Sequence, residues 1–404
     1  MENILILGGG YAGLSAALGL EGTGAQVTLV NRHSYHHMTT LLHQPVVGRR
    51  SYQDVSVWLK EVLPSSIQFI RGTVDAIDPS SRSVHIKTRK GKVIESYDLL
   101  VVALGWEPRF FNIPGLKEHA LTLHSLNTSR LTKDRIEESL IAYDENPEDD
   151  WRTTIVIGGG GLTGVELAAE LVESRRKLAL SFDLEPGNIR LILIEASPAL
   201  LSSLDPWLSA KATEYLQDNG VECMTDARIT EVRDHVLSLS DGSAVKAGTI
   251  IWTGGVRGNS ILERCGFPVN RQGRAAVNEF LQAKDHPDIF IAGDCSLTYD
   301  NVGKPLPPTA YLAVQQGRHA ARNIRRLSAE ESLAPYIPKT RGMVLSLGRR
   351  HAVGIVLGRR VHGKTAAVLK DALAFNHIRE IGGVGLLAKK LWEWAPYLIH
   401  LHRG

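Results

Sequence analysis

Three cysteines are spread over 404 residues, at Cys223, Cys265 and Cys295, and no two are close enough for a C-x-x-C or C-x-x-x-x-C spacing. That removes zinc ribbons, iron–sulfur runs and a local redox disulfide, and it fits a reducing compartment. Long apolar runs are missing too: nothing approaches the ~20 residues that span a bilayer. The charge-free stretch from Asn3 to Leu20 follows Glu2 and is interrupted by three consecutive glycines, against the pattern of a secretory signal. Nor is one sign of charge in excess. Lys+Arg number 46 and Asp+Glu 43, a net +3 that leaves no footprint for nucleic acid. Glycine, by contrast, is plentiful at 38 residues, in a chain too long for one core, since single domains rarely grow past ~250–300 residues. With 43% hydrophobic and 22% charged residues, the composition is that of an ordinary globular protein.

The glycines organise the chain into a repeat. Asn3-Ile-Leu-Ile-Leu7 is followed by Gly8-Gly-Gly10-Tyr-Ala-Gly13 and then by Leu14-Ser-Ala-Ala-Leu18; Thr154-Ile-Val-Ile157 is followed by Gly159-Gly-Gly161-Leu-Thr-Gly164 and Val165-Glu-Leu-Ala-Ala-Glu170. Each reads strand, glycine turn, helix. In such a G-x-G-x-x-G turn the first glycine makes the tight bend, the second lets backbone approach a pyrophosphate, and the third packs helix on strand. The helix N-terminus then offers unpaired N–H groups and a partial positive charge. One copy is a weak signal, whereas two in the same context predict two dinucleotide sites.

The strand after each turn should end in a residue that bonds a ribose. Gln26-Val-Thr-Leu-Val30 ends at Asn31, and Arg190-Leu-Ile-Leu-Ile194 ends at Glu195. A carboxylate at Glu195 accepts from a 2′-hydroxyl and repels a 2′-phosphate, so the second site should prefer NADH to NADPH. Two dinucleotides in one chain suggest FAD held without a covalent bond and NADH exchanging. A closing contact for the flavin is offered by Pro287-Asp-Ile-Phe-Ile-Ala-Gly-Asp294, an apolar strand ending at Gly293-Asp294. Its distance from the first turn predicts a first domain split by an inserted second one.

These segments, together with Tyr35 to Gly48, Asp98 to Gly105, Ile251-Trp-Thr-Gly-Gly-Val-Arg-Gly-Asn259 and Pro307-Pro-Thr-Ala310, resemble flavoproteins with two dinucleotide-binding domains, and specifically type II NADH:quinone oxidoreductases. The resemblance covers nearly the whole chain. It implies an α/β fold of two Rossmann-like domains, an FAD domain at residues 1–112 and 270–328, an NADH domain inserted at 113–269, and a C-terminal membrane-association region at 329–404. The implied activity passes a hydride from NADH to flavin and then electrons to a lipid quinone, without proton pumping and without a metal. Carried over, the FAD site falls on Gly10, Tyr11, Ala12, Gly13, Asn31, Arg32, Thr40, Val74, Gly105, Asp294 and Ala310. The NADH site falls on Gly159, Gly161, Gly164, Glu195, Gly254 and Gly255. Glu166 matches a carboxylate near flavin and nicotinamide, where it would relay or orient a proton, and Lys389 is placed near the quinone entrance. Disulfide reductases and sulfide:quinone oxidoreductases of this fold need catalytic cysteines that this chain lacks, which leaves a diffusible acceptor.

One departure bears on that acceptor. The family pattern after Pro-Pro-Thr-Ala is Gln, three residues, Gln; here Tyr311 occupies the first position and Gln315 the second, four apart on one helix face. A non-quinone acceptor therefore stays open, as does a low-turnover redox-sensing flavoprotein. From residue 339 onward, twelve Lys and Arg face Asp371, Glu380 and Glu393, a balance of +9 that leaves −6 for residues 1–338. Leu386, Leu387, Leu391, Trp392, Trp394, Tyr397, Leu398 and Leu401 interleave with Lys389, Lys390, His400 and Arg403. That pattern predicts a helix lying on an anionic membrane surface, peripheral on the cytoplasmic face, or else covering a homodimer contact or the core.

Overall fold

The computed structural model describes residues 2–340 and 342–399, with side chains described to residue 395. Short, continuously apolar strands are built for burial on both faces, the condition of a parallel sheet. Asn3–Leu7 pairs in parallel with Gln26–Asn31 on one side and Leu99–Val102 on the other. The second glycine motif repeats this, with Thr154–Gly158 between Arg190–Ile194 and Thr249–Trp252. Among the described residues the first group extends to an eight-stranded sheet, including His286–Ile291 beside Leu99–Val102, and the second to a five-stranded one. Both glycine motifs thus lie at the carboxyl ends of central strands.

The helix after the first turn, Tyr11–Gly19, is made of small residues because it is pressed from both sides. A Cβ on Gly317 would come within 2.0 Å of the Ala12 carbonyl oxygen, and one on Gly19 within 2.8 Å of Ala321. These contacts lock it to the Ala310–Ser328 helix, which Thr309 caps by accepting from the Leu312 N–H. The start of that helix is thereby delivered to the first glycine turn.

Two expectations change. The return to the first unit begins before residue 270: Val256–Gly258 pairs with Trp106–Pro108, and Ile261, Leu262 and Phe267 share a core with Leu5, Leu7 and Ile291. The C-terminal region is also far less of an appendage than its charge suggests. Its antiparallel sheet (Gly342–Ser346, Ala352–Val356, Arg359–His362) sends Leu345, Leu347 and Val353 into the core of the second unit. Its final helix, Gly363–Ile399, breaks at Gly383, whose φ of 68° and ψ of −167° only glycine adopts readily.

Beyond that break one face turns inward. Leu386, Lys390 and Trp394, spaced by four, are buried, whereas Leu391 and Trp392 are exposed. Trp394 joins Ile4, Ile6 and Leu14 in the first unit's core, under the Arg50 guanidinium 3.5 Å from its ring centroid. Leu386, Lys390 and Trp394 therefore serve the core and not a membrane, because only one side of an amphipathic helix can do either. The Tyr397 and Leu398 side chains, and His400, Leu401 and Arg403, fall outside the described residues.

Trp394 is 0% exposed and Trp392 83%. Trp394→Ala should lose about 3–5 kcal/mol of stability, while Trp392→Ala should stay within about 0.5 kcal/mol. Denaturant melts of both would check this, and equal losses would contradict the inward face.

Candidate functional site

The two glycine turns are built to the same plan. A Cβ on Gly13 would fall 1.8 Å from the Gly8 carbonyl oxygen, and one on Gly164 1.9 Å from that of Gly159. Each third glycine therefore lets its helix start hard against the strand. Gly8 and Gly159 both have positive φ, 102° and 112°. A Cβ on Gly10 or Gly161 would meet nothing within 4 Å among the described residues, so that side of both helix N-termini faces open space. The middle glycine is held from the neighbouring strand end: the Gly9 N–H donates to Asn31 Oδ1 at 2.9 Å, the Gly160 N–H to Glu195 Oε2 at 2.6 Å. Glu195 Oε1 also accepts from the Ser197 N–H at 2.7 Å, which fixes the carboxylate at the rim of the second turn. Gly254 packs behind that turn, so close that a Cβ on Gly159 would meet its Cα at 2.4 Å, and Gly255 lies against the Phe111 ring.

Around the first turn, the Tyr11 hydroxyl lies 3.2 Å from Thr40 Oγ1, and burial pushes the phenol up to about 12. Arg32 is exposed beyond Asn31, and Val74 is half-buried where its strand shifts register. Gly105 has a φ of 70° with open space beside it. Asp294 follows Gly293, its Oδ1 buried without a hydrogen-bond partner. Gln316, which sequence reasoning passed over for Gln315, holds this corner: it accepts from the Gly293 N–H at 2.6 Å and from Ser296 Oγ at 2.9 Å. An orphaned acid, two open helix N-termini and a positive-φ glycine are the donor and acceptor set that a dinucleotide with a polyhydroxyl chain needs. The residues fit the cofactors that the sequence implies.

A third element meets both units at Glu166. This residue lies in the second turn of Leu162–Leu180, buried, so it is no solvated first-turn acid. Its Oε1 accepts from Lys370 Nζ at 2.8 Å and from the Ser346 N–H at 3.0 Å, both from the C-terminal region. Among the described residues, the partner of Oε2 is His43 Nδ1, at 3.8 Å. Burial alone would raise the Glu166 carboxyl, but the Lys370 ammonium and these bonds together hold it below the usual range. One helical turn on, burial raises Glu170 despite its ion pair with Arg49. Burial also lowers His43 to about 4, so it is neutral. Two carboxylates on one helix face are thus driven apart in acidity.

Lys370 is only one of twelve Lys and Arg from residue 339 onward; the fold alone singles it out. Lys389 is elsewhere, paired with Glu61 at 2.8 Å on the surface. Tyr311 is 43% exposed, and Gln315 spends both ends of its amide on the Lys339 backbone, at 2.9 and 3.0 Å. The thiols are no redox pair. All three are free, and burial pushes Cys223 and Cys295 up to about 11.

With this geometry the comparisons with known proteins agree. A family model described as pyridine nucleotide-disulphide oxidoreductase matches residues 2–317. A type II NADH:quinone oxidoreductase of Staphylococcus epidermidis is 36% identical over 399 residues, 96% of this chain and 98% of that one. The structure of NDH2 from Plasmodium falciparum in complex with NADH aligns with a TM-score of 0.86 at 16% identity, over 98% of both chains. The sulfide:quinone oxidoreductase of Aquifex aeolicus aligns with a TM-score of 0.78 at 18% identity, over 99% of this chain and 96% of that one, which is a likeness of fold.

Two outcomes follow from the charges. Lys370→Met strands the buried Glu166 carboxylate and should cost about 2 kcal/mol, most of it recovered by adding Glu166→Gln; additive losses in thermal melts would mean the pair is not coupled. Burial raises Asp294 from 3.8 to about 6. An acid whose folded value lies above its unfolded one is a cost that grows as pH rises between those values. Ligand-free Asp294→Asn should therefore melt above the parent at pH 7, and the gap should close on descending to about pH 4. A pH-independent gap would show that the carboxylate charge is not its cause.

Proposed function

This chain belongs to the pyridine nucleotide-disulphide oxidoreductase family and, within it, to the type II NADH:quinone oxidoreductases, so it is an NADH dehydrogenase; on that premise we propose the division of labour among its residues. The flavin is FAD, held non-covalently at Gly10, Tyr11, Ala12, Gly13, Asn31, Arg32, Thr40, Val74, Gly105, Asp294 and Ala310. Bound there, it would supply the two-electron chemistry that no side chain offers. NADH is held at Gly159, Gly161, Gly164, Gly254 and Gly255, its pyrophosphate against the N-terminus of Leu162–Leu180. Glu195 accepts from the ribose hydroxyl and repels a 2′-phosphate. The observation that carries this reading is the pair of like glycine turns, each open at its second glycine and braced by a strand-end acceptor.

Glu166 is the group that moves a proton. Lys370 and the Ser346 N–H both occupy Oε1, so Oε2 is the atom free to take one up, and Lys370 holds the carboxylate ready for it. Reduction of a lipid quinone proceeds here without proton pumping. Electrons leave near Tyr311, at the start of the Ala310–Ser328 helix. A second reading, reduction of a soluble acceptor, is favoured by the engaged amide of Gln315.

Among the described residues no helix is long and apolar enough to cross a membrane. Val368, Leu373, Val384, Leu391 and Trp392 nonetheless stand exposed along the final helix, in a segment rich in Lys and Arg. This face rests on the anionic cytoplasmic leaflet, a peripheral attachment. Steady-state NADH oxidation tests both points: menaquinone or ubiquinone in anionic vesicles should be reduced well, and Trp392→Glu should slow that reaction several-fold while leaving a soluble dye acceptor unaffected. Turnover with the dye but with neither quinone would select the second reading; no NADH oxidation with any acceptor would refute the enzyme.

A further inference from the structure

The two glycine turns differ in one respect, and the difference leads to the C-terminal helix. In both, the N–H of the middle glycine is braced by a strand-end side chain. Its carbonyl is braced differently. Gly160 O accepts a backbone N–H from Leu201 at 2.9 Å, a contact inside the second unit. Gly9 O instead meets the buried imidazole of His36, whose Nδ1 lies 3.1 Å away. His36 Nε2 in turn lies 3.1 Å from His377 Nε2, on the final helix. Tyr11 packs on both rings, with centroids at 4.9 Å from His36 and 4.6 Å from His377.

The hydrogens of this chain follow from its ends. A carbonyl oxygen only accepts, so His36 Nδ1 carries the proton that goes to Gly9. A neutral imidazole then presents a bare Nε2, which must accept from the Nε2–H of His377. Both rings are neutral in this arrangement, in accord with burial lowering them to about 3 and about 4. The consequence reaches the ligand side through the peptide plane. In a trans peptide the carbonyl and the following N–H point in opposite directions. Fixing the Gly9 carbonyl toward His36 therefore aims the Gly10 N–H the other way, at the start of Tyr11–Gly19.

We propose that His377 is a positioning residue for the first dinucleotide: by donating to His36 Nε2 it holds the tautomer that bonds the Gly9 carbonyl, orients the Gly9–Gly10 peptide for the pyrophosphate and so makes flavin retention depend on docking of the C-terminal helix. The second turn, braced by Leu201, has no such dependence. The same helix carries Lys370 two turns earlier, so one docking event sets the flavin turn and the Glu166 ion pair together.

This inference rests on the reading of the first site as an FAD site. The experiment measures flavin release from purified holoprotein by the rise of free-flavin fluorescence, for the parent, His377→Leu, His377→Asn and His377→Gln. Leu removes the donor, and the Asn amide is too short to reach His36 Nε2; both should release flavin about tenfold faster, the loss of one net hydrogen bond. The Gln amide can take the place of Nε2–H and should stay within about twofold of the parent. NADH affinity of the flavin-depleted proteins should be the same in all four. Release from the Leu and Asn variants at the parental rate overturns the proposal, as does Gln releasing as fast as Leu. A parent that carries no FAD would instead sink the assignment of the site itself.

Discussion

Everything in this molecule is arranged around a steric fact: a helix can begin directly behind a strand only if the residue facing the strand's end has no side chain. Gly13 and Gly164 meet that condition with less than 2 Å to spare for a Cβ. Because of it, two helix N-termini lie at the carboxyl ends of parallel central strands in two sheets, beside open space. The rest of each unit defends that approach. Asn31 and Glu195 brace the middle glycines, and Gly317 and Gly254 let neighbouring backbone close in behind.

The C-terminal region supplies what two nucleotide folds cannot. Neither sheet by itself brings a cation to Glu166, and the final helix does so with Lys370, while the strand Gly342–Ser346 adds the Ser346 N–H. Farther along the same helix, His377 reaches the first glycine turn and Trp394 its core. A segment rich in positive charge thus has two faces with separate work. One pairs Lys370 with Glu166 and fills the first core with Trp394, and the other leaves Val384, Leu391 and Trp392 exposed among cationic side chains.

The repeat was legible in the sequence because a glycine turn is a local constraint: its residues are consecutive and its strand and helix adjoin it. The same logic, one strand on, marked Asn31 and Glu195 as ribose contacts; that they brace the middle glycines is visible only in the fold. Long-range choices were not legible. Which face of the final helix turns inward depends on what it meets, and Lys390 and Trp394 read as surface residues until Gln53 and Arg50 were brought against them. Nothing in twelve basic residues marked Lys370 over Lys389, since reach to Glu166 is a property of the fold. Gln315 and Gln316 are adjacent in sequence but about 100° apart around a helix, so one grips the Lys339 backbone and the other the Gly293 turn.

Trp394 in the company of Ile4 and Ile6 also says something about time. The first core cannot close until residue 394 has left the ribosome, whereas the second sheet draws on residues 121–252 and can form while synthesis continues. Pairing the two ends of a long chain carries a high loop-closure cost and slows folding. The nascent protein therefore passes through a state in which the second sheet has formed while the first core, and the part of the second that Leu345, Leu347 and Val353 fill, are still open, and that is the interval in which it most needs protection from aggregation.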